Sequence, residues 1–135
     1  MTMPSNHPHE SMLRDAYARF AQGDLAGFLA HCTDDITFRV PGHTPVSGLF
    51  SREQFLSSFI STVMDITKGT FRETVTDVVA NDTRGVVVAQ HEFDRDGKRR
   101  HYNTLHLYRI LHGKLASFEE FPEDLHAFEE AWGRR

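Results

Sequence analysis

The hydrophobic period of this chain changes near Gly69 from mainly helical to alternating, and that change limits what it can fold into. Before it, apolar residues keep helical spacing. Leu13, Ala16, Tyr17, Phe20 and Ala21 fall on one face of a first helix. Gly23-Asp24 ends that helix and caps a second over 25–32. Asp34-Asp35 reads as a turn and 36–40 as a short strand, broken by Pro41-Gly42 and Pro45 into an irregular loop up to Gly48. Ser51, with Gln54 at the capping-box position, opens a third helix whose apolar face is Phe55, Leu56, Phe59, Ile60 and Val63. After Gly69 the pattern alternates. Strands are expected over 70–80, 85–94, 98–111 and 114–121, separated by the turn pairs Asn81-Asp82, Asp96-Gly97 and His112-Gly113. A closing helix follows over 124–132. Helices first and a meander after them predict an α+β fold, with the three N-terminal helices packed on one face of an antiparallel sheet.

With 135 residues the chain has material for one core. The domain is expected over 10–135, behind a flexible N-terminus over 1–9, where His7-Pro8-His9 reads as a frayed end rather than a metal site. The net charge is −4 and the cations are scattered, so no nucleic-acid footprint emerges. The one basic run, Lys98-Arg99-Arg100, reads as a solvated hairpin end. No apolar run approaches the ~20 residues of a membrane helix. The polar stretch from Met1 to Glu10 does not read as a secretory leader, which leaves the cytoplasm as the expected location. The single cysteine, Cys32, reads as a small buried side chain in the second helix.

Strand alternation sorts the side chains of the meander. If Asp96-Gly97 is a two-residue turn, Arg95 opposes Lys98, His91 opposes Tyr102, Ala89 opposes Thr104 and Val87 opposes His106. Val87, Ala89, His91, Phe93, Tyr102, Thr104, His106 and Tyr108 then share one face of the sheet. Val86, Val88, Gln90, Glu92, Asn103, Leu105 and Leu107 share the other.

Several stretches carry a family resemblance. They are 17–25 with its Gly-Asp junction, 34–38 followed by 41–48, 69–71 with 77–80, and 105–109 with Gly113-Lys114-Leu115. In this order and spacing the chain resembles the nuclear transport factor 2-like superfamily, in its SnoaL-like and ketosteroid isomerase-like branch. The resemblance covers roughly residues 10–132. It implies a cone-shaped curved sheet around one apolar pocket, with dimerisation through the sheet's other face. It does not imply one activity, since enzymes and plain binding subunits share such folds. By matching motifs, the isomerase's catalytic Tyr position is Ala16, its Asp base position is Val40 and its second Asp position is His106. Val40 cannot accept a proton, so a ketosteroid isomerase mechanism is not expected.

The ionisable groups left on the face that the resemblance makes interior are His91, His106 and one carboxylate of the last strand. A two-residue His112-Gly113 loop would set His106 opposite Glu119, and a three-residue loop would set it opposite Glu120. The resemblance favours Glu120. A His106–Glu120 pair can serve as general acid and base, with His91 as a third catalytic candidate and Tyr102 beside it as a donor. Tyr17, Phe20, Phe38, Val40, Phe55, Phe59, Ala89, Phe93, Tyr102, Thr104 and Phe118 are the expected ligand contacts, and core packing is the competing role for each. Trp132 is expected to close the cone or a dimer edge. No metal and no cofactor are expected, because four residues of strand separate His91 from the partner of His106, ~13 Å along the sheet. The residues therefore suggest a pocket for a small oxygenated hydrophobic molecule, with cofactor-free isomerase, cyclase or dehydratase chemistry. The alternative is a non-catalytic ligand-binding or protein-interaction domain of the same fold.

Overall fold

The computed structural model describes residues 7–135. Helix α1 (Pro8–Ala21) is followed by α2 (Leu25–Leu29) and strand β1 (Cys32–Val40). Strand β2 (Gly48–Ser51) leads into one helical stretch made of α3 (Arg52–Gln54), a π-helical turn (Phe55–Ile60) and α4 (Ser61–Thr67). Strands β3 (Arg72–Ala80), β4 (Arg84–Arg95), β5 (Lys98–Leu111) and β6 (Lys114–Pro122) form the meander, and α5 (Leu125–Trp132) closes the chain. The expectation of a flexible stretch over 1–9 lies outside the described residues up to residue 6. From Pro8 the chain is already helical, with the His7 ring accepting from His9 N–H as an N-cap.

The six strands form one sheet in the order β2-β1-β6-β5-β4-β3. Two points depart from the expected meander. First, β1 runs parallel to β6, so the sheet is antiparallel everywhere except at that pair. Second, the loop expected up to Gly48 is followed by the edge strand β2, antiparallel to β1. Four residues give too little alternation to declare a strand. The turn expected at Asp34-Asp35 is also absent. Those residues lie within β1, where the register against β6 is irregular between Cys32 and Thr37.

The β4–β5 ladder has the expected register throughout, from Arg95↔Lys98 to Val87↔His106. Its turn places Asp96 at φ 54° and Gly97 at φ 75°, the double left-handed geometry that an Asp-Gly pair tolerates. All eight residues assigned to the inner face are buried, Val87 through Tyr108. Helix α1 lies close over this face at Gly85, where an added Cβ would sit 2.5 Å from Leu13 Cδ1.

The third helical stretch begins at the expected Ser51–Gln54 capping box. Its apolar face is not the simple one expected, because Leu56 is exposed while Phe55 and Val63 are buried. The π-turn takes more residues per turn, so each advances through a smaller angle than in an α-helix and the face that follows is rotated. Cys32 is not helical but starts β1. It is buried with its thiol toward Phe28 O, and burial pushes its pKa up to about 12. The core has two parts. One gathers Leu13, Phe28, Ile36, Phe38 and Leu115 under α1 and α2. The other gathers Phe93, Phe128, Ala131 and Trp132 under α5. The Arg95 guanidinium donates to the Ala131 and Glu130 carbonyls, which ties the end of α5 to β4.

Candidate functional site

Four neighbouring strands each carry one histidine or carboxylate to the concave face of the sheet. Across it run Glu120 from β6, His106 from β5, His91 from β4 and Glu73 from β3, paired as His106↔Glu120 and Glu73↔His91. Two bulges set this row. The β5–β6 turn has two residues, because Leu111 opposes Lys114. A uniform ladder from that turn would then bring Glu119 opposite His106. Between Leu115 and Ser117 the extra residue Ala116 shifts the register by one, so Glu120 takes the place and Glu119 opposes Leu107. In a ladder without bulges the turn length alone sets the pairing, and the bulge separates the two. In β3 the extra residue is Thr76, between the pairs Val75↔Ala89 and Asp77↔Val88. Without it Thr74, not Glu73, would oppose His91. Glu73 was not foreseen for that reason, since alternation alone cannot locate a bulge.

The expected distance between the two histidines does not hold for their side chains. Their ring centroids are 5.3 Å apart, because the curved face tilts both rings toward its centre. One donor atom from each of Glu73, His91 and His106 lies within 4.8 Å of the other two.

Each imidazole has its Nδ1 held by a tyrosine. His91 Nδ1 is 3.0 Å from Tyr102 Oη, and His106 Nδ1 is 2.5 Å from Tyr17 Oη. Tyr102 Oη in turn accepts from Trp132 Nε1 at 2.7 Å, and Tyr17 Oη lies 2.7 Å from Tyr108 Oη. The Nε2 atoms differ. His91 Nε2 meets Glu73 Oε2 at 2.6 Å. His106 Nε2 is buried and has no hydrogen-bond partner among the described residues. The nearest carboxylate oxygen is Glu120 Oε2 at 3.6 Å, beyond hydrogen-bond length. That same oxygen accepts from Thr104 Oγ1 at 2.9 Å and lies 3.7 Å from His91 Nδ1.

Burial opposes charge on Glu73, His91 and Glu120, but in each of the three the partners outweigh it. For Glu73, the hydrogen bond and charge of His91, with the His106 imidazole nearby, hold the carboxyl below its ordinary range. For Glu120, the His106 and His91 imidazoles and the Thr104 hydroxyl do the same. For His91, the hydrogen bond and charge of Glu73, with Glu120 behind, raise the imidazole above its ordinary value. Burial also pushes the Tyr17, Tyr102 and Tyr108 hydroxyls well above the phenol range, so all three stay protonated.

The row forms one wall of a cavity of about 70 Å³. That is room for a few ordered waters at the ~15 Å³ each requires, and less than the ~150 Å³ of a cavity that admits one benzene ring. Of the expected contacts, Tyr17, Phe20, Phe38, Phe55, Phe59, Tyr102 and Phe118 line it, with His91, His106 and Glu120. Phe38 and Phe55 stack at 4.1 Å and Phe55 and Phe59 at 5.5 Å, an aromatic column that adds to the apolar lining of the cavity. Val40, Ala89, Phe93 and Thr104 do not reach it. Val40 and Phe93 belong to the core beneath α5, with Phe93 stacked 4.2 Å from Trp132. Ala89 is too short and Thr104 is spent on Glu120. Trp132 and Phe71 line the cavity without having been foreseen as contacts, and Trp132 closes its end rather than an outer edge. Where the isomerase comparison puts Ala16, the buried hydroxyl comes from the next residue, Tyr17.

Among the described residues no helix is long and apolar enough to cross a membrane. The family model of the SnoaL-like domain matches residues 13–118. An uncharacterised protein of Mycobacterium tuberculosis strain H37Rv is 28% identical over 123 residues, 90% of this chain and 93% of its own. Among solved structures, a nuclear transport factor 2-like protein of unknown function from Burkholderia pseudomallei superposes with a TM-score of 0.82 at 19% identity, covering 95% of this chain and 99% of the other. TerC, crystallised with polyporic acid, superposes with a TM-score of 0.80 at 21% identity, covering 93% and 98%. At these identities the structures share the fold.

Proposed function

This chain belongs to the SnoaL-like domain family, with the nuclear transport factor 2-like fold, and from that premise we propose that it binds a small apolar, oxygenated molecule and moves a proton on it. The observation that carries this reading is the buried, unpartnered Nε2 of His106 at the cavity wall, 3.6 Å from Glu120. A ligand oxygen within reach of both would satisfy that nitrogen. The hydroxyl chain supplies the right tautomer. Tyr108 donates to Tyr17 and Tyr17 donates to His106 Nδ1, which leaves a proton on Nε2. His106 then donates to a carbonyl oxygen while ionised Glu120 takes a proton from the neighbouring carbon. Such a pair contributes about 10²–10⁴-fold in rate. The aromatic column of Phe38, Phe55 and Phe59 suits an apolar ligand body, and the reaction class is enolisation, as in isomerisation, cyclisation or dehydration.

The test uses cyclopentanone, a small apolar enolisable ketone, in D2O. Wild-type protein is expected to speed α-proton exchange, read by NMR, and His106→Gln to remove at least 90% of the acceleration. Exchange at the buffer rate with wild type, or an unchanged rate in the variant, overturns the assignment. A second reading, a binding domain without turnover, is favoured by the Thr104 bond that steadies Glu120 as an ionised acceptor. Tight binding of the ketone without exchange would select it. Pairing of two chains through the outer face of the sheet belongs to the same proposal.

A further inference from the structure

The polar row leaves a question that proton transfer alone does not answer: why two bulges, on strands at either side, each turn a carboxylate onto an imidazole. We infer that Glu73, His91 and His106 form a binding site for a divalent first-row transition metal such as Zn²⁺ or Co²⁺, with the Glu120 carboxylate as a neighbouring negative charge. Their donor atoms lie within 4.8 Å of one another. A tetrahedral ion with bonds of ~2.1 Å spaces its donors by about 3.4 Å, so small rotations of the side chains close the shell. Two imidazoles and one carboxylate are a donor set that suits these metals.

Three further features agree. Both imidazoles have Nδ1 fixed by a tyrosine hydroxyl, Tyr102 and Tyr17, the arrangement in which a metal-binding histidine has its second nitrogen anchored and its ring oriented. His106 Nε2 is unpartnered, in a residue 3% exposed, and points toward the row. The charges also balance. Two ionised carboxylates and two neutral imidazoles carry −2, which one divalent ion neutralises in a site with little water. Metal-bound, the hydroxyl chain runs the other way: His106 Nδ1 donates to Tyr17 and Tyr17 to Tyr108, freeing the Nε2 lone pair. Metal binding and proton donation thus use the same atom in opposite tautomers and exclude one another. The inference does not rest on the acid–base reading, and metal-loaded protein should be inactive in the exchange assay.

The test uses the whole protein, stripped with chelator, and the metal alone. Zn²⁺ titrated by calorimetry should bind one to one, at least tenfold more weakly in His106→Gln and in Glu73→Gln, and unchanged in the His7→Gln/His9→Gln double variant. In wild-type protein, ¹⁵N-histidine NMR should show two buried imidazoles shifting with Zn²⁺, a readout that needs no variant to fold. Absence of binding to wild type, binding unchanged in His106→Gln, or shifts confined to exposed histidines such as His7 and His9 would each overturn the site. Failure of ketone exchange leaves these readouts untouched.

Discussion

In the proposed reaction Tyr17 sets the reactive end of His106, although it shares neither strand nor sheet with it. Its hydroxyl is buried between His106 Nδ1 and Tyr108 Oη. Tyr17→Phe keeps the ring and its packing but strips both neighbours of a partner. A buried polar atom left unpaired costs about 1–3 kcal/mol. We therefore expect the variant to lose that much stability by urea unfolding and most of its ketone exchange, through loss of the tautomer control. Stability equal to wild type would mean that the hydroxyl is not bonded as described. Tyr17 was legible as a contact because it sits on the apolar stripe of the first helix. Its role as a hydrogen-bond relay was not, since nothing in a helix's spacing says which strand atom its tip will meet. His91 and Tyr102 were legible as partners because a two-residue Asp-Gly turn fixes the ladder by counting. Glu73 was not, because one extra residue at Thr76 moves it into place.

At the scale of elements, the two faces of β5 and β6 divide the labour. Their inner face carries His106, Tyr108 and Glu120. Their outer face carries Leu105 at 41% exposure directly opposite Phe121 at 45%. A paired apolar couple in the middle of an exposed sheet face is a surface that a partner would cover. We expect the protein to sediment at twice its 15.5 kDa chain mass, and the Leu105→Asp/Phe121→Asp pair to restore the monomer without changing the circular dichroism. A monomer for the wild type at 50 µM would refute this pairing. The elements themselves followed the sequence where a local device names them, as at the Ser51–Gln54 capping box and the Asp96-Gly97 turn. They departed from it where long-range pairing decides, as in β2, in the Asp34-Asp35 segment of β1, and in the parallel β1–β6 contact.

For the whole molecule, the buried row couples folding to pH. Glu73 and Glu120 have folded pKa values lowered below 4.5, so their contribution is present above the unfolded value and lost as pH falls through the folded ones. His91 has its folded value raised above 6.5, so its contribution is full below that unfolded value and lost as pH rises through the folded one. Both signs favour a window between about 4.5 and 6.5. With chelator present, the urea midpoint should be higher at pH 5.5 than at pH 8, and Glu73→Gln should shrink that difference. A midpoint at pH 8 equal to or above that at pH 5.5 would contradict the paired, charged state of His91. What the sequence by itself determined is the α+β order of elements, the inner face of the central hairpin and the presence of two histidines on it. Those follow from periodicity and turn chemistry, which act over a few residues. Only the tertiary structure decided which carboxylates face them and how near the two rings come. Bulges and sheet curvature arise from how strands fit one another, and no local spacing records them.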